Sequence, residues 1–191
     1  MVYAAEHDPL CYPGTTVLIN LLDLRDAALL EEVELALFLT RADEPFPAGN
    51  LDAAHYLSLH RHLFQDVYAW AGRIRTIRIG KGGNWFCYPG HIPNYLDRTF
   101  KDLGDPDTLR HLSPSEFAVR IGRFLAELNA VHPFREGNGR TQLAFAAMLA
   151  DHAGLPFDTG KLEPSRVLDA MIESFAGDAG AIVALVEELI S

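Results

Sequence analysis

One short stretch carries the side chains whose types and spacing could do chemistry: His-Pro-Phe-Arg-Glu-Gly-Asn-Gly-Arg, from His132 to Arg140. A histidine has an unperturbed pKa of about 6.5, so at neutral pH it can accept a proton from a hydroxyl group. Glu136 is a hard oxygen ligand of the kind that holds Mg²⁺ together with phosphate oxygens. The stretch therefore offers a general base, His132, beside a candidate metal ligand.

The second half of the stretch favours anion binding. Gly137 and Gly139 flank one residue at the predicted start of a helix, where backbone N–H groups and the helix dipole attract a phosphate. Arg140 can add a charge-assisted contact to the same anion, and Asn138 can donate its side-chain amide. Each feature alone also fits a structural role. Combined with His132 in one turn, they predict phosphoryl or nucleotidyl transfer.

Two predicted helices would position this turn. The apolar positions before it are Phe117, Ile121, Phe124, Leu128 and Val131. They recur at three- and four-residue spacing, which predicts a buried helix face, and Ser113-Pro-Ser-Glu116 has the residue types of a helix start. An apolar run over 143–150 predicts the second helix. The chemistry is thus expected in a polar turn between two buried helices.

Over residues 74–88 the spacing of the apolar residues is no longer helical, and it predicts a small hairpin. Isoleucines alternate with polar residues, a glycine-rich turn follows at 81–84, and aromatic residues return after it. An exposed hairpin edge can pair with an extended segment of another protein, although a purely structural hairpin remains an alternative. The residues predicted for a target-binding flap are Ile77, Arg78, Ile79, Gly80, Lys81, Trp85 and Phe86.

The whole pattern predicts a mainly α fold of about seven helices with one small β-hairpin. Further helices are predicted over 26–40, 52–70, 93–103, 163–175 and 178–191. No Ser/Gly/Pro-rich linker divides the chain, so residues 26–191 are predicted to form a single domain with its core at about 50–160. Residues 1–25 read as an irregular arm packed on that body.

Composition limits the partners. The formal net charge is −10 over 191 residues, which argues against binding nucleic acid or an anionic membrane surface. The sequence contains neither a membrane-length apolar run nor a secretory signal, which predicts a cytoplasmic protein. Cys11 and Cys87 are far apart and predict no disulfide framework or zinc site. His55, His60 and His62 are predicted to be structural, with no metal assigned to them.

The stretch from His132 to Arg140 resembles the motif of Fic-domain proteins, His-x-Phe-x-Asp/Glu-Gly-Asn-Gly-Arg-x-x-Arg. The helix ending at Gly72 and the following hairpin resemble the family's core helix and target-binding flap, so the similarity covers most of residues 50–160. Residues 8–14, Asp-Pro-Leu-Cys-Tyr-Pro-Gly, resemble the small bacterial toxin-like branch. The resemblance implies a protein adenylyltransferase, an enzyme that moves AMP from Mg²⁺-bound ATP to a hydroxyl side chain of a target protein.

The resemblance also implies roles for individual residues. These are general base for His132, Mg²⁺ ligand for Glu136 and nucleotide-phosphate binding for Gly137, Asn138, Gly139 and Arg140. Phe134 would anchor the turn in the core. The target would be a protein Ser, Thr or Tyr hydroxyl, with a type II topoisomerase subunit as a first candidate.

One position departs from the family motif. Where the motif has its second arginine, this sequence has Leu143. That arginine orients the terminal phosphates, and an arginine on transferring phosphates contributes about 10³- to 10⁵-fold in related chemistry. Two alternatives therefore stay open: a phosphotransferase or other nucleotidyltransferase on the same fold, and an attenuated domain that binds nucleotide or a partner. The family's inhibitory helix motif is matched only in part at 40–44 and 159–163, which predicts restraint by a small antitoxin-like protein or no restraint.

Overall fold

The computed structural model describes residues 8–81 and 83–191, and these residues are mostly helical. They contain seven α-helices and one two-stranded antiparallel sheet. The predicted mainly α fold with one small hairpin is therefore confirmed. The first seven residues of the predicted arm, and Gly82 in the predicted turn, lie outside the described part.

The helices are α1 (Ala27–Ala42), α2 (Ala53–Phe64), α3 (Ile92–Leu103), α4 (Pro114–Val131), α5 (Asn138–Ala153), α6 (Pro164–Phe175) and α7 (Gly180–Leu189). Strands β1 (Gly80–Lys81) and β2 (Asn84–Trp85) pair with Gly80 opposite Trp85 and Lys81 opposite Asn84. Short 3₁₀ turns occur at Pro89–His91, Pro106–His111 and Thr159–Lys161. These turns are too short to produce a helical repeat, so periodicity did not predict them.

Contacts within the chain divide it into two compact units. The first contains the described residues up to Ile92 together with Pro133–Gly137, and the second contains Pro93–His132 and Asn138–Ser191. Residues 133–137 of the motif thus belong to the first unit, and His132 and residues 138–140 belong to the second. No helix of the described part combines the length and the apolar character needed to cross a bilayer.

Helix α1 of the first unit starts where its cap predicts, since the Asp26 side chain accepts a hydrogen bond from the Leu29 N–H. One acidic residue of this helix is buried. Glu34 is buried and accepts a hydrogen bond from the Tyr68 hydroxyl. A buried carboxylate is tolerated when such a donor replaces water, and this donor lies 34 positions away in the sequence.

Helix α2 is shorter than predicted, because it ends at Phe64 and not near Trp70. Beyond Phe64 the chain makes successive turns, and Gly72 adopts a positive φ of 80°. The Val67 carbonyl accepts a hydrogen bond from the Leu21 N–H at 2.8 Å. The apolar spacing after Phe64 therefore reflects burial in turns that tertiary hydrogen bonds hold.

The second unit is built around α4, which packs against α5, α6 and α7. The capping box predicted at its start is present, because the Ser113 side chain accepts from the Glu116 N–H and the Glu116 carboxylate accepts from the Ser113 N–H. The Ser113 hydroxyl also donates to the Glu116 carboxylate at 2.6 Å, and this bond first and the Ser113 N–H bond second lower the pKa of Glu116. The ring of Phe100 meets those of Phe124 and Phe145 edge-on, with centroids 5.1 and 5.5 Å apart.

Candidate active site

His132 caps the C-terminus of α4 in an unusual backbone conformation. Its φ and ψ are 48° and 64°, in the left-handed region, and its N–H donates to the Leu128 carbonyl at 2.8 Å. That conformation costs a residue with a side chain about 1–2 kcal/mol. Such strain persists where the surrounding structure enforces it, and it concentrates at functional sites.

The hydrogen bond of the His132 ring indicates which ring nitrogen carries the proton and which the lone pair. Nδ1 lies 3.2 Å from the backbone carbonyl oxygen of Asn129. A carbonyl oxygen can only accept, so this geometry assigns the proton of the neutral ring to Nδ1. Nε2 then carries the lone pair. His132 as a whole is buried, with 6% of its surface exposed.

The loop Pro133–Gly137 is held in the first unit by stacked rings. Phe134 is fully buried, as expected of an anchor, and its ring lies 3.7 Å from that of His60 at an interplanar angle of 21°. His60 Nε2 donates to the Glu136 carbonyl at 3.0 Å, and its Nδ1 accepts from the Gly72 N–H at 2.8 Å. Both ring nitrogens are thus used, and His60 is a structural residue that fixes the loop backbone.

The two glycines of the motif have different surroundings. Gly137 has a φ of 80°, and a Cβ there would lie 2.5 Å from two atoms of the Phe64 ring. Gly139, in the first turn of α5, has nothing within 4 Å of an ideal Cβ. Gly137 is therefore required by the packing of the loop. Packing does not require Gly139, whose missing side chain leaves open space beside a helix N-terminus.

The other predicted phosphate ligands lie in the same turn of α5. Asn138 is its first residue and is 1% exposed, whereas Arg140 is half-buried. Leu143 stands one helical turn after Arg140 and is also half-buried. The position at which the family motif has its second arginine thus carries an aliphatic side chain on the same helix face.

Glu136 is half-buried, and its Oε1 accepts a hydrogen bond from the Gly137 N–H at 2.9 Å. The described residues contain no group of three or more His, Cys, Asp or Glu side chains that could hold a metal ion. One carboxylate nevertheless fits Mg²⁺, which typically uses one or two carboxylates and completes its shell with water and substrate phosphates.

Sequence reasoning missed an ion pair beneath the loop. Arg135 Nε donates to Asp8 Oδ2 at 2.6 Å, and the two side chains are 4% and 9% exposed. The Cys11 thiol also donates to this carboxylate at 3.4 Å, and its pKa is raised by burial first and by Asp8 second. The pair joins Asp8, in the N-terminal arm, to Arg135 of the motif.

Arg75, another residue that sequence reasoning missed, braces the base of the hairpin. Its guanidinium donates to the carbonyls of Ile77 and Cys87 at 2.7 and 2.6 Å, and its backbone N–H donates to the Pro133 carbonyl at 2.9 Å. Arg75 is 3% exposed. Arginines in a polar run are usually exposed, so sequence reasoning had no signal for this role.

The hairpin presents a mixed surface. Arg78 lies over the exposed ring of Trp85 at 4.7 Å. Ile79 and Phe86 are buried and are joined by a backbone hydrogen bond of 3.1 Å, so they anchor the hairpin. Of the other predicted flap residues, Gly80 is buried and Ile77 and Lys81 are half-buried. A groove of about 520 Å³ is lined by Thr76, Ile77, Arg78, Trp85, Tyr88, Pro89 and Gly90.

The remaining histidines of α2 bond to backbone groups. His55 accepts from the Leu51 N–H at 3.1 Å and donates to the Pro47 carbonyl at 2.6 Å. His62 donates to the Arg41 carbonyl at 2.9 Å. These contacts are those of structural histidines.

Comparison with known proteins gives consistent results. A sequence model of the Fic/DOC family matches residues 50–150. A probable protein adenylyltransferase of Sinorhizobium fredii is 53% identical over 189 residues, covering 98% of each chain. The protein adenylyltransferase VbhT of Bartonella schoenbuchensis is 38% identical over 187 residues, which are 96% of this chain and 39% of VbhT.

The structural comparison agrees with these sequence matches. The crystal structure of the Bartonella tribocorum effector BepC with bound AMPPNP superimposes with a TM-score of 0.86 at 28% identity, over 94% of this chain and 95% of BepC. Family match, sequence identity and fold thus point the same way. The chain belongs to the Fic/DOC family.

Proposed function

We propose that this chain is a protein adenylyltransferase that transfers AMP from ATP to a hydroxyl side chain of another protein. The target oxygen forms a bond to the α-phosphorus of ATP while the bond from that phosphorus to the bridging oxygen of the β-phosphate breaks. Pyrophosphate leaves, and the hydroxyl proton passes to His132. Relatives that are named protein adenylyltransferases match over nearly the whole chain.

The observation that carries the proposal is the hydrogen bond from His132 Nδ1 to the Asn129 carbonyl. It leaves Nε2 as the basic nitrogen of a ring whose backbone is held at the end of α4. A general base needs a basic nitrogen and a fixed position within reach of the proton. The contact with the Asn129 carbonyl supports both for His132.

We assign nucleotide binding to Gly137, Asn138, Gly139 and Arg140. The open space beside Gly139 supports an approach of phosphate oxygens to the first turn of α5, where the helix dipole favours negative charge. Arg140 adds a cation that can bond a phosphate in bidentate fashion. Glu136 would hold Mg²⁺, which when bound neutralises charge on the phosphate oxygens.

We assign the hairpin to target binding. Strands β1 and β2 are two residues each, and the exposed Trp85 and Arg78 border the groove beside them. Main-chain pairing with a hairpin edge aligns an extended segment without strong demands on its side chains. The hydrogen bond from Arg75 to Pro133 supports a fixed relation between hairpin and catalytic loop.

We further propose a cytoplasmic protein of toxin–antitoxin type, restrained by a small antitoxin-like protein. Neither partial match to the family's inhibitory motif is complete in this chain, since Pro45 follows one and Pro164 follows the other. A partner in trans would then supply the glutamate of that inhibitory motif, and the alternative is that the chain is not restrained. The net charge of −10 favours a protein over a nucleic acid as target, and a type II topoisomerase subunit is the first target to test.

Labelled ATP distinguishes this reaction from phosphate transfer. The purified chain is incubated with Mg²⁺, bacterial lysate and ATP that is labelled either at the α- or at the γ-phosphate. Protein label from the α position alone supports AMP transfer. Label from the γ position would instead identify a phosphotransferase, and labelling equal to a no-enzyme blank in both arms would contradict an enzymatic role.

A further inference from the structure

Helix α6 (Pro164–Phe175) lies beyond the residues that the family model matches, yet it holds the turn of α4 that carries His132. The contact is made by Asn129, which is three residues before His132 and is 6% exposed. Its side-chain Nδ2 donates to the Met171 carbonyl at 2.7 Å and to the Ser174 hydroxyl at 3.2 Å.

An asparagine is an unfavourable choice for this position on local grounds. Asparagine is a poor helix former because its side chain competes for backbone hydrogen bonds, and a buried amide needs partners for its donors. Here two contacts of the amide nitrogen are to α6, and the Ser174 hydroxyl itself donates to the Met171 carbonyl at 2.9 Å. Asn129 therefore fastens the last turn of α4 to α6 through a connected, buried network.

The backbone of the same residue holds the His132 ring. Its carbonyl oxygen accepts from His132 Nδ1 at 3.2 Å. A displacement of Asn129 would move this acceptor. The neutral ring would then populate both tautomers, and only the tautomer with its proton on Nδ1 has a basic Nε2.

We propose that Asn129 is a positioning residue, which uses α6 as a support to hold the carbonyl that fixes the tautomer and orientation of His132. This inference rests on the proposed role of His132 as general base. It assigns to the C-terminal helices a task in the reaction, although none of their residues belongs to the motif.

Two variants test the network, and one of them removes more of its hydrogen bonds than the other. Asn129→Leu keeps a similar volume and removes both donors, whereas Ser174→Ala removes only one of the two acceptors. Ile182→Val in α7 serves as the control, because it trims the core packed against α4 without touching the Asn129 network. Circular dichroism and thermal melting identify variants that fold.

The direct readout is ¹⁵N NMR of the imidazole nitrogens, which reports the tautomer of His132 and requires no AMP transfer. We expect the wild type and Ile182→Val to hold the proton on Nδ1, Asn129→Leu to show a mixture, and Ser174→Ala to show a smaller change in the same direction. In the transfer assay, kcat of Asn129→Leu should fall about 10- to 100-fold while KM for ATP changes little.

A folded Asn129→Leu variant with the wild-type tautomer and the wild-type kcat would overturn the proposal. Should Asn129→Leu not fold, Ser174→Ala decides: an unchanged tautomer in that variant would equally overturn it. If the wild type transfers no AMP, the proposed function fails, but the NMR comparison still supports or refutes the role of Asn129.

Discussion

Gly137 and Gly139 lie two positions apart, and we expect opposite effects on stability when each is replaced by alanine. In Gly137→Ala the residue must keep a φ of 80°, which costs about 1–2 kcal/mol. Its methyl group would also lie 2.5 Å from the Phe64 ring, which is 1% exposed and has little room to move. Overpacking of this kind costs about 1–3 kcal/mol, so the free energy of unfolding should fall by about 2–5 kcal/mol.

Gly139→Ala meets neither obstacle. No atom lies within 4 Å of the added Cβ, and alanine is favoured over glycine in a helix by up to about 1 kcal/mol. Stability should therefore stay constant or rise. ATP affinity should nevertheless fall, because the methyl group fills the space through which a phosphate oxygen reaches the backbone N–H. Loss of one charged hydrogen bond, about 1.5–3 kcal/mol, corresponds to an affinity about 10- to 100-fold lower.

Urea denaturation measures the first effect, and calorimetric titration with ATP and Mg²⁺ measures the second. The two variants control for each other, since one perturbs the loop packing and the other perturbs the open face of α5. A Gly139→Ala variant that binds ATP as tightly as the wild type would refute the binding of a phosphate beside Gly139. A Gly137→Ala variant of wild-type stability would refute the account of the loop packing.

Three further predictions concern Gln142, the Asp8–Arg135 ion pair and Leu143. Both polar atoms of the Gln142 side chain are buried without a hydrogen-bond partner among the described residues. Gln142→Met should therefore raise the free energy of unfolding, measured by urea titration, by about 1–3 kcal/mol. A decrease would refute this prediction. Asp8→Ala should lower the free energy of unfolding by about 3–5 kcal/mol. The double variant with Arg135→Met should recover part of that loss. A double variant no more stable than the single one would contradict the buried ion pair. Leu143→Arg should raise the rate of AMP transfer by at least about tenfold, and at most by the roughly 10³- to 10⁵-fold effect of arginines on transferring phosphates. An unchanged rate would mean that another residue already fills that role.

The helices around the motif could be predicted from sequence because their signals are local. The Ser113–Glu116 capping box and the apolar spacing of α4 operate within one element, and both have the predicted form in the structure. The fold class followed from the same periodicity. Family membership followed from consecutive residues, since a motif of nine positions needs no knowledge of distant contacts.

What the sequence did not reveal depends on residues far apart in the chain. The Asp8–Arg135 pair joins positions separated by 127 residues, and Asn129 meets Met171 across 42. Glu34 stands in an acidic run that gives no sign of burial, and its burial depends on the Tyr68 hydroxyl. A weak signal existed only for Asn129, as a poor helix former within an otherwise strong helix.

We expect the departure at Leu143 to change the rate of AMP transfer and not the type of reaction. His132, Glu136 and the residues Gly137–Arg140 follow the family motif at every position, and the missing arginine belongs to the terminal phosphates in that family. The bond that breaks in AMP transfer is at the α-phosphorus. We therefore expect an aliphatic residue at 143 to slow the release of pyrophosphate and to leave the site of attack unchanged.

The central claim is that His132 takes the proton of a target hydroxyl during AMP transfer, and a comparison of wild type with His132→Ala tests it most directly. ATP affinity is measured first, so that both proteins are assayed at saturating ATP with Mg²⁺. We predict equal ATP binding, target labelling from α-labelled ATP by the wild type, and a rate for His132→Ala lower by about 10²- to 10⁴-fold. Equal rates of target labelling by the two folded proteins would contradict the account.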